Sequence, residues 1–68
     1  MQSEIIVNGE KRSVPAGHTL AELVADLALQ ERRVAVEVNR EIVPRSRYSE
    51  HVLNSGDHVE VVAAIGGG

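Results

Sequence analysis

No cysteine occurs anywhere in the 68 residues. Disulfide bonds, thiolate metal sites and a cysteine nucleophile are therefore excluded. Aromatic residues are nearly absent too: Tyr48 stands alone, with no Phe and no Trp. A base-stacking platform for single-stranded nucleic acid relies on aromatic faces, so that class drops out. Basic charge is scarce, with 7 Lys and Arg against 10 Asp and Glu and a formal net charge of −3. An acidic chain of this size repels phosphate backbones, which makes nucleic acid a poor partner. No stretch reaches the ~18 apolar residues of a membrane span. No signal-peptide pattern opens the chain, so the cytoplasm is the expected compartment.

What is present suffices for one small domain. Apolar residues make up 43% of the chain, mostly Val, Leu, Ile and Ala, too many for a disordered segment. A domain of this size buries only about 60% of its unfolded surface, so its stability is modest.

Along the chain, SEIIV at 3–7 reads as a strand, and Asn8-Gly9 is a strong hairpin signal. EKRSV at 10–14 is the returning strand, closed by Pro15, Ala16 and Gly17. Thr19 and Glu22 have capping-box spacing. Leu20, Leu23, Val24 and Leu27 then repeat at helical spacing, which predicts a helix over 20–28. VAVEVN at 34–39 alternates as a strand. Asn39-Arg40 turns it into a short strand, Ile42-Val43, which Pro44 confines to an edge. Residues 45–53 read as irregular, with Val52 and Leu53 tucking into the core. Asn54 to Asp57 is a turn, and 58–64 is the last strand. The order is β-β-α-β-β-β. The most apolar strands, first and last, are expected to lie centrally, adjacent and parallel. Ile5, Val7, Leu20, Leu23, Leu27, Val34, Val36, Val38, Val59 and Val61 form the expected core.

Candidate sites are few. His18, His51 and His58 lack metal-ligand spacing and read as surface histidines. Asp26, Asp57 and the glutamates read as solvated faces and turn formers, because a one-helix fold leaves little room for a pocket that separates two carboxyl pKa values. No triad is evident beside the serines, so the chain is not expected to be an enzyme by itself. Gly66-Gly67-Gly68 has no following helix and is not a phosphate loop. A cloning scar or a frayed end would explain it, but it follows the last strand without a spacer. Glycines lack Cβ atoms and can thread a narrow tunnel. At ~3.3–3.6 Å per residue, three of them carry the Gly68 carboxylate roughly 10 Å beyond the fold. On the last strand, Val62 and Ala64 alternate away from Val59 and Val61, onto the sheet face that the helix does not cover. There they are expected to form a partner surface.

These elements carry a resemblance. VNGE at 7–10, TLAELV at 19–24, VAVEVNREIVPRS at 34–46, SGDHVEVV at 55–62 and AIGGG at 64–68 resemble, in order, the ThiS family of thiamine-biosynthesis sulfur carriers. The resemblance implies an α+β fold, the ubiquitin-like β-grasp, with a mixed five-stranded sheet and one helix packed across one face. It divides the chain into a domain over 1–64 and a glycine tail over 65–68. It further implies that an E1-like adenylyltransferase uses ATP to adenylate the Gly68 carboxylate. A persulfide donor then converts it to a thiocarboxylate, and thiazole synthase takes the sulfur. Ile65, Gly66 and Gly67 would enter the partners' active sites, and the carrier itself would bind no cofactor and no metal. The related small subunit of molybdopterin synthase, which shares the NG hairpin, the GD turn and the terminal GG, remains an alternative, as does a plain β-grasp interaction module.

Overall fold

Two tight hairpins set the sheet. In a computed structural model, which describes residues 1–29 and 31–63, strand β1 (Gln2–Val7) pairs antiparallel with β2 (Glu10–Pro15). Strand β3 (Val34–Val38) pairs antiparallel with β4 (Glu41–Val43). Asn8 and Gly9 have φ of 50° and 85°, and Asn39 and Arg40 have 51° and 71°. Positive φ at both central residues is what a two-residue turn needs to match the strand twist. Strand β5 (His58–Ala63) runs antiparallel to β3 and parallel to β1, giving the order β2-β1-β5-β3-β4. The first and last strands are thus central, adjacent and parallel, as expected. Of the predicted last strand, Ala64 lies outside the described residues.

Helix α1 (Leu20–Asp26) lays Leu20, Leu23 and Val24 onto one sheet face. Ile5, Val7, Val14, Val36, Val38, Val43, Tyr48, Leu53 and Val59 complete the core. Three expected members, Leu27, Val34 and Val61, are only partly buried and pack at its rim. Val52 is a correction. It is 47% exposed, because residue 52 forms a strand-like bridge with Thr19, and alternation turns Leu53 inward and Val52 out. Tyr48, whose burial the sequence did not announce, follows a 3₁₀ turn over Arg45–Arg47. Burial raises its phenol pKa above the ordinary value, against a smaller opposing pull from Arg45.

The segment 45–53 is held by the start of the helix. A helix leaves its first N–H groups without internal partners. Here Thr19 N–H donates to the Glu22 carboxylate at 3.0 Å, and Glu22 N–H donates to Thr19 Oγ1 at 3.2 Å. Leu20 N–H donates to the His51 carbonyl at 2.8 Å and Ala21 N–H to that of Tyr48 at 3.0 Å. The capping box and the loop together satisfy all four donors.

The helix stops at Asp26, two residues before the predicted end. Its terminator is Ala28, in the left-handed region at φ 58°. Leu29 N–H reaches back to the Val24 carbonyl at 3.0 Å and Ala28 N–H to that of Ala25 at 2.9 Å. These are the two bonds of a Schellman cap, and Leu29 packs against the core. The apolar period continues through Leu27, but the chain has already left the helix.

Two outcomes are expected. Alanine in the left-handed region is strained where glycine is not. Ala28→Gly should therefore stabilise the domain by about 0.5–1 kcal/mol, raising Tm by roughly 2–8 °C. An unchanged or lower melting temperature would contradict the cap. Glu22 is held below its usual carboxyl value of 4.5, first by the Thr19 N–H and then by the Thr19 hydroxyl. A carboxyl depressed in the folded state stabilises above its unfolded pKa, and that contribution is lost as pH falls through the folded value. Glu22→Gln keeps an acceptor for the cap but cannot titrate. Melting curves taken between about pH 7 and pH 3 should fall less steeply for this variant in the acidic range.

Candidate functional site

The open face of the sheet follows from strand alternation. On β5, Val59 points into the core, so His58, Glu60 and Val62 point out. Val62 is 59% exposed. Across the register, Ala35 stands opposite Val62, Glu37 opposite Glu60, and Ile6 opposite His58. Ile42, 72% exposed, stands opposite Glu37, and Lys11 opposite Ile6. The face therefore combines an apolar group, Val62, Ala35, Ile42 and half-buried Ile6, with two carboxylates directly across from each other. Like charges in that position repel. Among the described residues neither Glu37 nor Glu60 has an ion-pair partner.

Strand β5 leads along this face towards the tail. Of the expected site residues, Val62 stands on the open face as predicted. Ala64, Ile65, Gly66, Gly67 and Gly68 lie outside the described residues.

The histidines do not converge. His18 departs from the surface reading. Its side chain is only 10% exposed, and its Nε2 lies 2.8 Å from Asp26 Oδ2, with Glu22 Oε1 3.9 Å from Nδ1. The ring clips the residue before the N-cap to the helix's last residue. His51 serves through its backbone carbonyl at the helix start, and His58 opens β5. Among the described residues no three His, Asp or Glu side chains gather as a metal site, and no helix is long and apolar enough to cross a membrane. Asp57 is a turn former, as expected. It accepts from Asn54 N–H at 2.8 Å and from Asn39 Nδ2 at 3.0 Å.

Sequence reasoning missed the side chains of the hairpin asparagines, both of which bond to β5. Asn39 Oδ1 accepts from His58 N–H at 3.0 Å, and Asn8 Oδ1 accepts from Val61 N–H at 2.8 Å. The available signal was asparagine, rather than glycine, at the first position of both turns.

One helix across a mixed sheet of this strand order, with an apolar open face beside the last strand, defines a β-grasp protein of the ubiquitin-like class. Within that class the chain belongs to the ThiS family, whose model matches residues 4–68. The solved structure of the thiamine biosynthesis protein ThiS from Geobacter metallireducens superposes with a TM-score of 0.81 at 29% identity, covering 96% of this chain and 99% of the other. The sulfur carrier protein ThiS of Escherichia coli is 31% identical over 96% of this chain and 98% of its own length. The thiazole synthase of Paramagnetospirillum magneticum is 46% identical over 96% of this chain, which spans 20% of that longer protein.

Exposure makes the face testable without a partner. Val62→Asp should leave the fold intact, losing about 1 kcal/mol or less, the range of strand preference at an exposed position. Val59→Asp, at a site 1% exposed, should unfold the domain. Equal losses in a denaturant titration would place Val62 in the core.

Proposed function

We propose that the chain carries sulfur for thiamine biosynthesis, as a thiocarboxylate on Gly68 handed to a thiazole synthase. The observation that carries this reading is the ThiS family match over 4–68, which runs through the glycines themselves. A carboxylate is a poor electrophile. Attack of its oxygen on the α-phosphate of ATP, catalysed by an E1-like enzyme, releases pyrophosphate and leaves an acyl adenylate. A persulfide sulfur then displaces AMP and gives an acyl disulfide. Cleavage of that disulfide by a thiol leaves the thiocarboxylate. The carrier needs no cysteine of its own, and ATP is a substrate of the partner. The carrier is a protein co-substrate, not the catalyst.

The open face supports the docking half of this reading. Val62, and Ala64 beyond it, would seat on the partner while Ile65, Gly66 and Gly67 lead Gly68 into its active site. The Glu37–Glu60 pair disfavours a second copy of this chain, since two such faces would oppose four carboxylates. The match to part of a thiazole synthase supports that enzyme as partner. In the Paramagnetospirillum magneticum protein a domain like this one shares a polypeptide with the synthase. Such linkage raises effective concentration without any new contact.

Incubation with an E1-like enzyme, ATP and a persulfide donor should raise the intact mass by the difference between a sulfur and an oxygen atom. Fragmentation should place the gain on Gly68. A chain with Gly68 amidated, or extended past Gly68, should show no gain while its fold is unchanged. Gly67→Val should keep the carboxylate but block its path, because a β-branched side chain widens and stiffens the thread. Val62→Asp should weaken binding to both partners while remaining folded. Thiazole formation supported by an extended and untrimmed chain would overturn the carrier reading in favour of a plain interaction module.

A further inference from the structure

Strand β5 outruns its parallel neighbour. The β1–β5 register holds Ile6 opposite His58 and Val7 opposite Val59. Asn8 N–H adds a bond to the Val59 carbonyl at 2.9 Å, and the backbone then turns away into the hairpin at φ 50°. On its other side β5 stays paired with β3 as far as Ala63, opposite Val34. The peptide groups of Val61 that face β1 would therefore have no strand beside them. The Asn8 side chain takes that place. Its Oδ1 accepts from Val61 N–H at 2.8 Å, and its Nδ2 donates to the Val61 carbonyl at 3.3 Å. A carboxamide carries the donor and acceptor of one peptide unit, and here it acts as the next peptide of β1.

We infer that Asn8 is a positioning residue of the carrier: its carboxamide adds the last rung on the β1 side of β5 and fixes the strand from which the chain leaves towards Gly68. This role rests on the sulfur-carrier reading. The rung itself does not. A pure turn role for Asn8 would need only tolerance of positive φ, which glycine meets better. Asn39 supplies a matched comparison. It has the same turn position, and its side chain also makes two bonds, to Asp57 and His58, at the opposite end of β5. His58 lies five residues from Ala63, about 17 Å along a strand.

The test pairs Asn8→Gly with Asn39→Gly in the full chain. Both keep the turn and lose the side-chain bonds. Asn8→Gly should speed hydrogen exchange at the Val61 amide by up to about tenfold, the worth of a lost net hydrogen bond. It should also lower kcat/KM for Gly68 adenylation by roughly the same factor. Asn39→Gly should change neither by more than about twofold, whatever it does to Tm. Asn8→Asp keeps the acceptor but sets an oxygen against the Val61 carbonyl, and should exchange faster than the parent. Unchanged Val61 exchange in Asn8→Gly would remove the rung. Faster exchange with unchanged adenylation would remove the positioning role, as would equal damage from Asn39→Gly. If the unaltered chain accepts no sulfur, the carrier reading and the positioning role fall together, and Val61 exchange still decides the rung.

Discussion

Buried peptide groups need partners, and a strand in the middle of a sheet needs them on both sides. Strand β5 is that strand, between β1 and β3. Its parallel pairing with β1 cannot be closed by a tight turn. The helix, the β3–β4 hairpin and the loop 45–53 all lie within the connection between those two strands. Their placement follows. The helix covers one face of the pair, the hairpin supplies the second neighbour of β5, and the loop returns the chain to the strand's start. Where backbone pairing runs short, asparagine side chains make it up: Asn39 at His58 and Asn8 at Val61.

The remaining stability comes from a core with one aromatic ring. Its residues are small, so no single side chain dominates, and fit around the helix start matters correspondingly more. Two carbonyls of the loop 45–53 accept from the N–H groups of that start, and Tyr48 and Leu53 belong to the same buried core as the helix. Losing the loop would leave two helix donors unpaired as well as removing apolar contacts, so loop and helix order together.

Features written locally were legible in the sequence. Hairpins at Asn8-Gly9 and Asn39-Arg40, the Thr19–Glu22 box and the turn ending at Asp57 each depend on a few adjacent residues. The central, adjacent and parallel placement of the first and last strands was also legible, because apolar content singled them out. Features set by distant partners were not. The Ala28 cap is hidden because alanine is a good helix former and Leu27 continues the apolar period. Tyr48 and Val14 are buried by elements far away in sequence, and alternation within a short irregular stretch cannot say that Leu53 rather than Val52 turns in. The open face was legible at Val62 through strand period alone. Its width, including Ala35 and Ile42, depended on register across β5, β3 and β4.

Magnitudes decide what a firmly held β5 contributes to a carrier. Under the sulfur-carrier proposal, fraying of residues 60–63 would lengthen the segment proposed to reach a partner's active site from five residues to nine. Effective concentration falls as about the −3/2 power of length, a loss of only about 2.4-fold. Reach is therefore a weak reason to hold the strand. Ordering is a stronger one. Fixing each backbone residue costs roughly 1–2 kcal/mol, so four frayed residues would take about 4–8 kcal/mol from the docking free energy. Fraying would also withdraw Glu60 and Val62 from the open face, the surface proposed to dock the partner. Sheet pairing up to Ala63 places that ordering in the folding of the domain, before any partner arrives. In the proposed carrier, the last three of the five residues left to supply the reach are glycines without Cβ atoms, around which a narrow path is least obstructed.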